Sequence, residues 1–198
     1  NNESNNSTTF DNPGNYSLKV TKIYGDIICE AVHNFEIINS SRPVIQNVTI
    51  SDWTDSENTI SVAIENPSEY EYSLDNIHFQ NDNTFYGLKI GEYTVYVRSK
   101  LGCGPDDFEK VYLLNYPKFF TPNGDGHNDF WKVKLSSLEP EMMTYIFDRY
   151  GKLITNFNAR SRGWDGTLNG KPLPSTDYWF VVKRKNGQIH RGHFSMKR

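Results

Sequence analysis

The sequence has little cysteine and no long apolar segment. Cys29 and Cys103 are its two cysteines in 198 residues, too few for the dense disulfide framework of small secreted domains. Neither lies in a Cys-x-x-Cys pair or beside a histidine, which argues against a thiol-bound metal or a catalytic thiol.

No apolar run approaches the ~20 residues of a membrane-spanning helix, and no signal peptide is present. Because the chain begins at Asn1 without methionine, we expect a fragment of a longer, processed protein.

Motifs of known enzyme classes are also missing. The five histidines show no His-Glu-x-x-His spacing, and the sequence has neither a Gly-x-Ser-x-Gly elbow nor a phosphate-binding glycine loop. Asp125 and Asp165 are candidates for a glycosidase carboxylate pair, but isolated carboxylates in glycine-rich turns more often shape the turn. His190 and His193 are expected to be exposed, on opposite faces of a hairpin strand. We therefore predict a protein without catalytic residues.

What the sequence does have is a high aromatic content and closely spaced strand signals. Phe, Tyr and Trp make up 14% of the residues, and no stretch shows a sustained 3.6-residue apolar period, so few helices are expected. Strands are predicted at 16–23, 35–38, 44–50, 59–64, 70–73, 91–100, 108–114, 131–135, 144–147, 153–157, 177–184 and 188–196. The Asn-Gly pair at 186–187 predicts a type I′ hairpin, and the broken alternation near Gly192 predicts a bulge. The predicted fold is all-β, with two consecutive immunoglobulin-like antiparallel β-sandwich modules.

Composition and charge divide the chain into segments. Residues 1–40 are predicted to be a linker and the tail of a preceding immunoglobulin-like repeat, 41–114 an immunoglobulin-like β-sandwich repeat, and 115–198 a second module. Residues 1–115 carry 7 Lys/Arg against 17 Asp/Glu, whereas residues 116–198 carry 14 against 7. Opposite charge on the two halves indicates modules with different roles. The basic residues are scattered among turns without a recognition helix, so we expect a protein or anionic-surface partner and no nucleic acid.

A weak internal repeat relates residues 13–20 to residues 90–97. Each segment has a glycine two positions before a tyrosine, and each is followed by a cysteine and then by a Phe-containing strand. Repeats of one structural unit usually indicate an array of similar modules. Cys29 and Cys103 would then be equivalent positions in successive modules. This disfavours a disulfide between them without excluding it, because the two Cα atoms must lie within ~7 Å.

Residues 121–129, TPNGDGHND, combine turn formers with oxygen donors. Set against a helix-loop-helix calcium loop, Asn123, Asp125 and Asp129 take side-chain ligand positions and His127 supplies a backbone carbonyl. The strong acid at each end of such a loop is missing. Two interpretations stay open. One is an Asx-rich turn that hydrogen-bonds its own backbone, and the other is a partial calcium site completed from elsewhere.

The segment Trp164-Asp165-Gly166 also has two interpretations. The Asp165 carboxylate is a candidate to complete the calcium site. Alternatively, Trp164 packs in the core while Asp165 and Gly166 form a turn, which needs no further assumption and is preferred.

Several motifs follow one another in a fixed order up to the last residue. They are YPKFF at 116–120, the 121–129 loop followed by FW, IFDRYGKLI at 146–154, GWDGT at 163–167, LPSTDYWF at 173–180 and GHFSMKR at 192–198. In this order, residues 115–198 resemble the type B C-terminal sorting domain of the bacterial type IX secretion system, also called the gliding-motility-associated C-terminal domain. One departure is Ser-Thr-Asp before Tyr178, where the family usually has Gly-Thr. Residues 44–114 are similar to repeats found upstream of such domains in large surface proteins.

The resemblance implies a secretion signal that directs a large surface protein through the periplasm and outer membrane of a Gram-negative bacterium. The protein would be secreted or held at the cell surface, with residues 41–114 as a spacer or adhesin repeat. The implied partner is the outer-membrane type IX secretion machinery, including a β-barrel protein. Phe194, Lys197 and Arg198 of the last strand are the predicted sorting and partner residues, the two basic ones facing an acidic or anionic surface.

The alternative function is a glycan- or protein-binding adhesive module. β-Sandwiches that bind polysaccharide display aromatic platforms, and the sequence has four tryptophans. Trp131, Trp164 and Trp179 lie in apolar or family-like segments and are expected in the core. Trp53, flanked by Ser, Asp and Thr, is expected to be exposed and is the candidate platform.

Overall fold

The structure is a computed structural model that describes residues 9–10, 12–39, 42–102 and 104–198. Cys103 and the first eight residues of the segment predicted as linker and repeat tail (1–40) lie outside the described residues. Cys29 is exposed, and the predicted relation between the two cysteines stays open.

The described residues form fifteen strands and no α-helix, which confirms the all-β prediction. The strands are β1 (Gly14–Tyr24), β2 (Ile27–Ile37), β3 (Asn47–Ser51), β4 (Asn58–Ala63), β5 (Tyr70–Ser73), β6 (Thr84–Leu88), β7 (Gly91–Ser99), β8 (Asp107–Leu113), β9 (Phe119–Phe120), β10 (Met143–Phe147), β11 (Leu153–Asn158), β12 (Thr167–Leu168), β13 (Lys171–Pro172), β14 (Asp177–Lys183) and β15 (Ile189–Met196). Single 3₁₀ turns lie at Pro67–Glu69 and Ser136–Leu138.

Residues 42–114, here called the middle module, form two three-stranded sheets around one core. The strand orders are β3-β4-β6 and β5-β7-β8, and every pair is antiparallel. Alternate side chains point inward, and the buried ones are mainly aliphatic, including Ile60, Val62, Val95 and Val97. Strand β6 is absent from the sequence prediction because its short segment is interrupted by Gly87, which adopts a positive φ of 65°.

Residues 115–198, here called the C-terminal module, form one five-stranded sheet covered by mostly irregular chain. The strand order is β11-β10-β14-β15-β9. β9 pairs with β15 in parallel, a departure from the predicted antiparallel arrangement. The core under the sheet is aromatic, and Trp131, Phe120, Phe180 and Phe194 are its largest fully buried members. The chain thus has two cores in the ranges predicted for two modules, and their independence as folding units stays a prediction.

The prediction of a strand at 131–135 is wrong. Trp131 and Lys134 form isolated bridges, with Trp164 and Asn115 respectively. Leu135 then adopts the left-handed conformation, with a φ of 60°. This segment crosses the core as irregular chain, held by side-chain packing and not by a ladder.

The predicted bulge near Gly192 is also wrong. β14 and β15 pair without a break, from Lys183 opposite Ile189 to Asp177 opposite Ser195. Gly192 shares the inward face with Phe194 and Met196, so the alternation is regular in space. It looks broken in the sequence because a glycine and a histidine occupy two inward positions.

The hairpin between β14 and β15 is tight, as predicted, but its turn is not type I′. Such a turn needs positive φ at both central residues, and of the pair only Gly187 has it. The Gly187 N–H donates to the Arg184 carbonyl, and the Arg184 N–H donates to the Gln188 carbonyl. This pattern is typical of a three-residue loop that ends in a glycine bulge.

Strands β1 and β2 form a separate two-stranded ribbon. They pair along their whole length, from Gly14 opposite Ile37 to Tyr24 opposite Ile27. None of their residues belongs to either core.

Candidate functional site

The last strand, β15, lies inside the sheet of the C-terminal module and not at its edge. It pairs with β14 from Ile189 to Ser195 on one side and, at Ser195 and Met196, with β9 on the other. Phe194 is fully buried, and its ring stacks on that of Trp131 at 4.0 Å between centroids. Phe194 is therefore part of the core, and its predicted role in sorting stays a prediction.

The two terminal basic residues differ in their surroundings. The Arg198 guanidinium donates to the carbonyls of Gly166 and Leu173, which ties the end of the chain to the turn after Trp164. Lys197 is exposed, with its ammonium group 5.1 Å from the centre of the Phe119 ring. Of the two, Lys197 offers the freer charge to a partner.

The outer face of the five-stranded sheet carries an apolar row. By register, Leu153, Phe147 and Trp179 lie side by side on β11, β10 and β14. Trp179 is 43% exposed, so the expectation that it lies in the core is wrong. Trp131 and Trp164 are buried, as expected. The sequence misleads at Trp179 because flanking Tyr178 and Phe180 take the inward positions of the strand.

Basic groups lie on the same outer face, further along β14 and β15. Lys183 and Arg191, on β14 and β15, are both exposed, and the Lys183 ammonium lies 5.3 Å from the centre of the Tyr145 ring. His193 pairs with Trp179 in the register of the two strands. We call this combination of Leu153, Phe147, Trp179, Lys183, Arg191 and His193 the outer aromatic face.

The 121–129 loop is a set of Asx turns. The Asp129 carboxylate accepts hydrogen bonds from the backbone N–H groups of Asn123, Gly124 and Gly126, at 2.7–3.0 Å. Asp125 accepts from the His127 N–H at 2.7 Å. The Gly124 and Gly126 N–H groups, together with that of Asn123, hold the pKa of Asp129 below its usual range.

The carboxylate oxygens of this loop accept hydrogen bonds from the loop's own N–H groups. Both Asp129 oxygens already accept backbone N–H bonds, and the Asp125 carboxylate also accepts from the Asn123 amide. Arg162 lines the same pocket as Asp129 and Asp165 and puts a positive charge there. Over the described ranges, no three His, Cys, Asp or Glu side chains are grouped to hold a metal. Asp165 itself caps a turn, accepting from the Thr167 N–H and hydroxyl.

A buried charge network joins the two modules, and no sequence motif indicates it. The Arg184 side chain is only 3% exposed and donates to Asp52 at 2.8 Å. The same guanidinium donates to the Glu139 carboxylate and, at 2.9 Å, to the Tyr112 carbonyl. Asp52 also accepts the Leu114 N–H. Burial outweighs these contacts and raises the pKa of Asp52 above its ordinary value.

Trp53 packs beside this network and is not an exposed platform. Its ring stacks on the His190 ring at 4.1 Å and 7°, and it packs on the aromatic core of the C-terminal module. His190 is therefore half-buried, not exposed, and its Nε2 has no hydrogen-bond partner within the described chain. Burial, followed by the Lys118 charge, lowers the pKa of His190 to about 4. Only His193, on the opposite face, is exposed as expected.

With this geometry established, comparison with protein families identifies the C-terminal module. Residues 114–196 match the family model described as the CHU_C type IX secretion signal domain. This part of the chain is a type IX secretion signal domain. The resemblance inferred from the sequence motifs is confirmed. A signal domain of this kind implies a protein exported through the outer membrane, secreted or held at the cell surface. No helix in the described ranges is long and apolar enough to cross a membrane.

Three of the similar solved structures are remote in sequence and in fold. They include the BSP domain of a biofilm-associated protein (13% identity, TM-score 0.26, 77% of this chain and 29% of that one) and dimeric latent PorU from Porphyromonas gingivalis (10%, 0.25, 93% and 30%). The third is the fibronectin(III)-like modules of CbhA from Clostridium thermocellum (12%, 0.24, 76% and 93%). The chain spans less than a third of the length of the first two. Likenesses at this level carry no inference about function. No curated protein matches the chain.

Proposed function

We propose that the type IX secretion machinery recognises the signal domain as a folded unit and thereby directs a large surface protein across the outer membrane. The family match of residues 114–196 supports this proposal. The position of β15 within the sheet supports recognition of the folded domain over recognition of an extended C-terminal segment. Its backbone pairs with β14 along its length and with β9 at Ser195 and Met196, and Phe194 is in the core, so at this end a partner meets the strand through its outward side chains. A β-barrel partner in the outer membrane stays a prediction.

The outer aromatic face is the part of the signal domain that suits a protein partner. Protein interfaces are enriched in Trp, Tyr and Arg at their centres, and Trp179 and Arg191 lie on this face. Residues 116–198 carry twice as many basic as acidic residues. We therefore expect an acidic surface on the machinery, which the basic groups around Trp179 would attract.

Export in the native secreting cell tests the proposal. Deletion of residues 192–198 removes most of a central strand, and we expect the cargo to accumulate in the periplasm. Phe194→Ser should have the same effect through unfolding. Trp179→Ser and Lys197→Glu leave the core intact, so a loss of export with these variants would report recognition. Tyr86→Ser, an exposed aromatic change in the middle module, and Lys152→Glu, on an exposed lysine elsewhere in the signal domain, are the matched controls.

Normal surface delivery of the deletion variant would contradict the sorting function itself. Loss of export with the deletion, but wild-type export of both Trp179→Ser and Lys197→Glu, would keep the sorting function and exclude these outward residues as the recognised surface. The purified variants must melt like the wild type for that conclusion to hold.

For the middle module we propose the role of a spacer between the signal domain and the rest of the cargo. The Arg184 network and the Trp53 stack attach it to the signal domain, which suits a fixed support. The alternative adhesin role loses its candidate platform, because Trp53 is packed against the signal domain. Retention of residues 1–198 on a polysaccharide column would restore that alternative. We expect no retention and no enzymatic activity.

Calcium binding by Asn123, Asp125, His127 and Asp129 stays a prediction from the sequence. If the loop binds the ion, chelation should lower the melting temperature, and Asp125→Ala should abolish that difference. If the Asx turns alone hold the loop, the melting temperature is the same with calcium and with chelator. The hydrogen bonds to Asp129 favour the second outcome.

A further inference from the structure

The β1–β2 ribbon has one mainly apolar face and one mainly polar face. Paired residues of an antiparallel ribbon share a face, and successive residues alternate between faces. By this rule one face carries Tyr16, Leu18, Val20, Ala31, Phe35 and Ile37. The other carries Ser17, Lys19, Thr21, Glu30, Asn34 and Glu36, with a Lys19–Glu30 ion pair at 2.6 Å. The main exceptions to this division are two polar residues on the first face, Lys22 and His33, and three apolar residues on the second, Ile23, Ile28 and Val32.

Phe10 packs on Tyr16 and Phe35 at one end of the apolar face, and over the described residues the rest of this face is uncovered. Leu18 and Val20 are 54% and 57% exposed. Alternation of this kind is typical of a sheet that buries one face. A two-stranded ribbon alone is only marginally stable in water, so we expect another element to cover this face.

A tyrosine hydrogen bond indicates which kind of element covers the apolar face of the ribbon. The Tyr16 hydroxyl donates to the Asn12 carbonyl at 2.8 Å, the Tyr93 hydroxyl to the Lys89 carbonyl at 3.0 Å, and the Tyr178 hydroxyl to the Pro174 carbonyl at 2.9 Å. Each acceptor lies four residues before its tyrosine, and each tyrosine is on the first strand of a hairpin: β1–β2, β7–β8 or β14–β15. This bond is the tyrosine corner of immunoglobulin-like sandwiches, where it marks the strand that begins the last hairpin.

The middle module shows what covers such a hairpin. Val95 and Val97 follow Tyr93 by two and four positions and are fully buried in one core with Ile60 and Val62 of the facing sheet. Leu18 and Val20 follow Tyr16 by the same two and four positions. The ribbon therefore presents the same kind of side chains at the positions through which β7 contacts the sheet β3-β4-β6.

We propose that the ribbon is the closing hairpin of a third β-sandwich, and that its apolar face docks an antiparallel sheet supplied by polypeptide N-terminal to residue 1. The facing sheet of the middle module has three strands, and at the usual five or six residues a strand these need more chain than the thirteen residues that precede β1. The three corner tyrosines lie 77 and 85 residues apart. The missing sheet accordingly belongs to about one further module length of chain, in which residues 10–37 play the part of residues 87–113.

Two valines of the ribbon give a matched test. Val20 lies on the apolar face and Val32 on the polar face, and their exposures are 57% and 61%. Val20→Asp and Val32→Asp are made both in residues 1–198 and in a protein extended upstream by one module length from the parent gene. Amide hydrogen exchange of β1 and β2 is then measured in all proteins.

In the extended protein, we expect the wild-type ribbon to be protected and Val20→Asp to speed exchange on the order of a hundredfold, because the carboxylate would be buried without a partner. Val32→Asp should change it far less. In residues 1–198 alone, the two variants should behave alike. Equal effects in the extended protein would overturn the proposal. So would a dimer of residues 1–198, seen by sedimentation, whose ribbon is protected and which dissociates on Val20→Asp, because a second copy would then be the partner.

Discussion

The middle module and the signal domain solve the same packing problem with different side chains. In the middle module two sheets face each other, and mainly aliphatic side chains such as Ile60 and Val95 fill the gap between them, beside the buried Tyr70 and Tyr72. In the signal domain one sheet is covered by irregular chain, and large rings fill the space. Facing sheets lie about 10 Å apart, so interdigitating and mainly aliphatic side chains can fill the space. A covering layer without a ladder needs other contacts to hold its backbone.

The rings of the signal domain supply those contacts. The Trp131 indole N–H donates to the Pro117 carbonyl, the Trp164 indole N–H to the Thr167 carbonyl, and the Tyr178 hydroxyl to the Pro174 carbonyl. Each ring thus packs on the sheet and fixes a loop at once. This difference explains why the signal domain is recognisable from its sequence. Its fixed aromatic positions form motifs, whereas interchangeable aliphatic residues do not.

The largest effect should come from breaking one core at a time. Phe194→Ala removes a fully buried ring, and we expect it to destabilise the signal domain by about 3–5 kcal/mol. Ile60→Ala should destabilise the middle module by about 2–5 kcal/mol. Calorimetry of residues 1–198 should show two transitions, each shifted by its own variant. A single transition that shifts with both variants would mean that the two modules unfold together.

The contact between the modules should be nearly as sensitive. Arg184→Ala leaves Asp52 and Glu139 buried without their cation, which should cost about 3–5 kcal/mol. Lys185→Ala is the matched control on the next residue, since its ion pair with Glu141 is 73% and 64% exposed. An exposed pair of this kind contributes at most about 1 kcal/mol. The free energy of unfolding of both variants is measured by denaturant titration. Equal values would show that the buried network does not hold the modules together.

A smaller steric effect should separate two strand glycines. A Cβ added to Gly192 would lie 2.8 Å from the Phe180 ring, whereas one added to Gly91 of β7 would meet the Tyr93 ring at an ordinary 3.5 Å. Neither glycine has positive φ. Gly192→Ala should therefore cost about 1–3 kcal/mol by overpacking, and Gly91→Ala should be nearly neutral. Similar melting temperatures for both would show that the aromatic core adjusts to the extra methyl group.

The smallest expected effect is a pH dependence from the Trp53–His190 stack. The pKa of His190 is lowered from 6.5 to about 4 in the folded protein, so protonation favours the unfolded state. Its contribution to stability is complete above pH 6.5 and is lost as the pH falls from 6.5 towards 4. His190→Phe keeps an aromatic ring and should flatten the melting profile in that range. His193→Phe, on the exposed face, should leave the profile unchanged, and an identical profile for both would contradict this assignment.

The sequence by itself determined the fold class, most strand positions and the family of residues 114–196. Alternation and turn residues act locally, so β5 and β10 are predicted to within one residue of their observed bounds. The aromatic motifs can also be recognised in the sequence by their order, because each ring has a fixed neighbour in the covering layer.

Only the tertiary structure decided which polar and aromatic residues are buried. Arg184 and Trp53 look like surface residues in the sequence, yet each is covered by the other module. Trp179 looks like a core residue, yet it points outward. The parallel β9–β15 pair joins segments more than seventy residues apart. Burial depends on what lies opposite a side chain, and a local pattern holds no information on a neighbour that comes from a distant part of the chain.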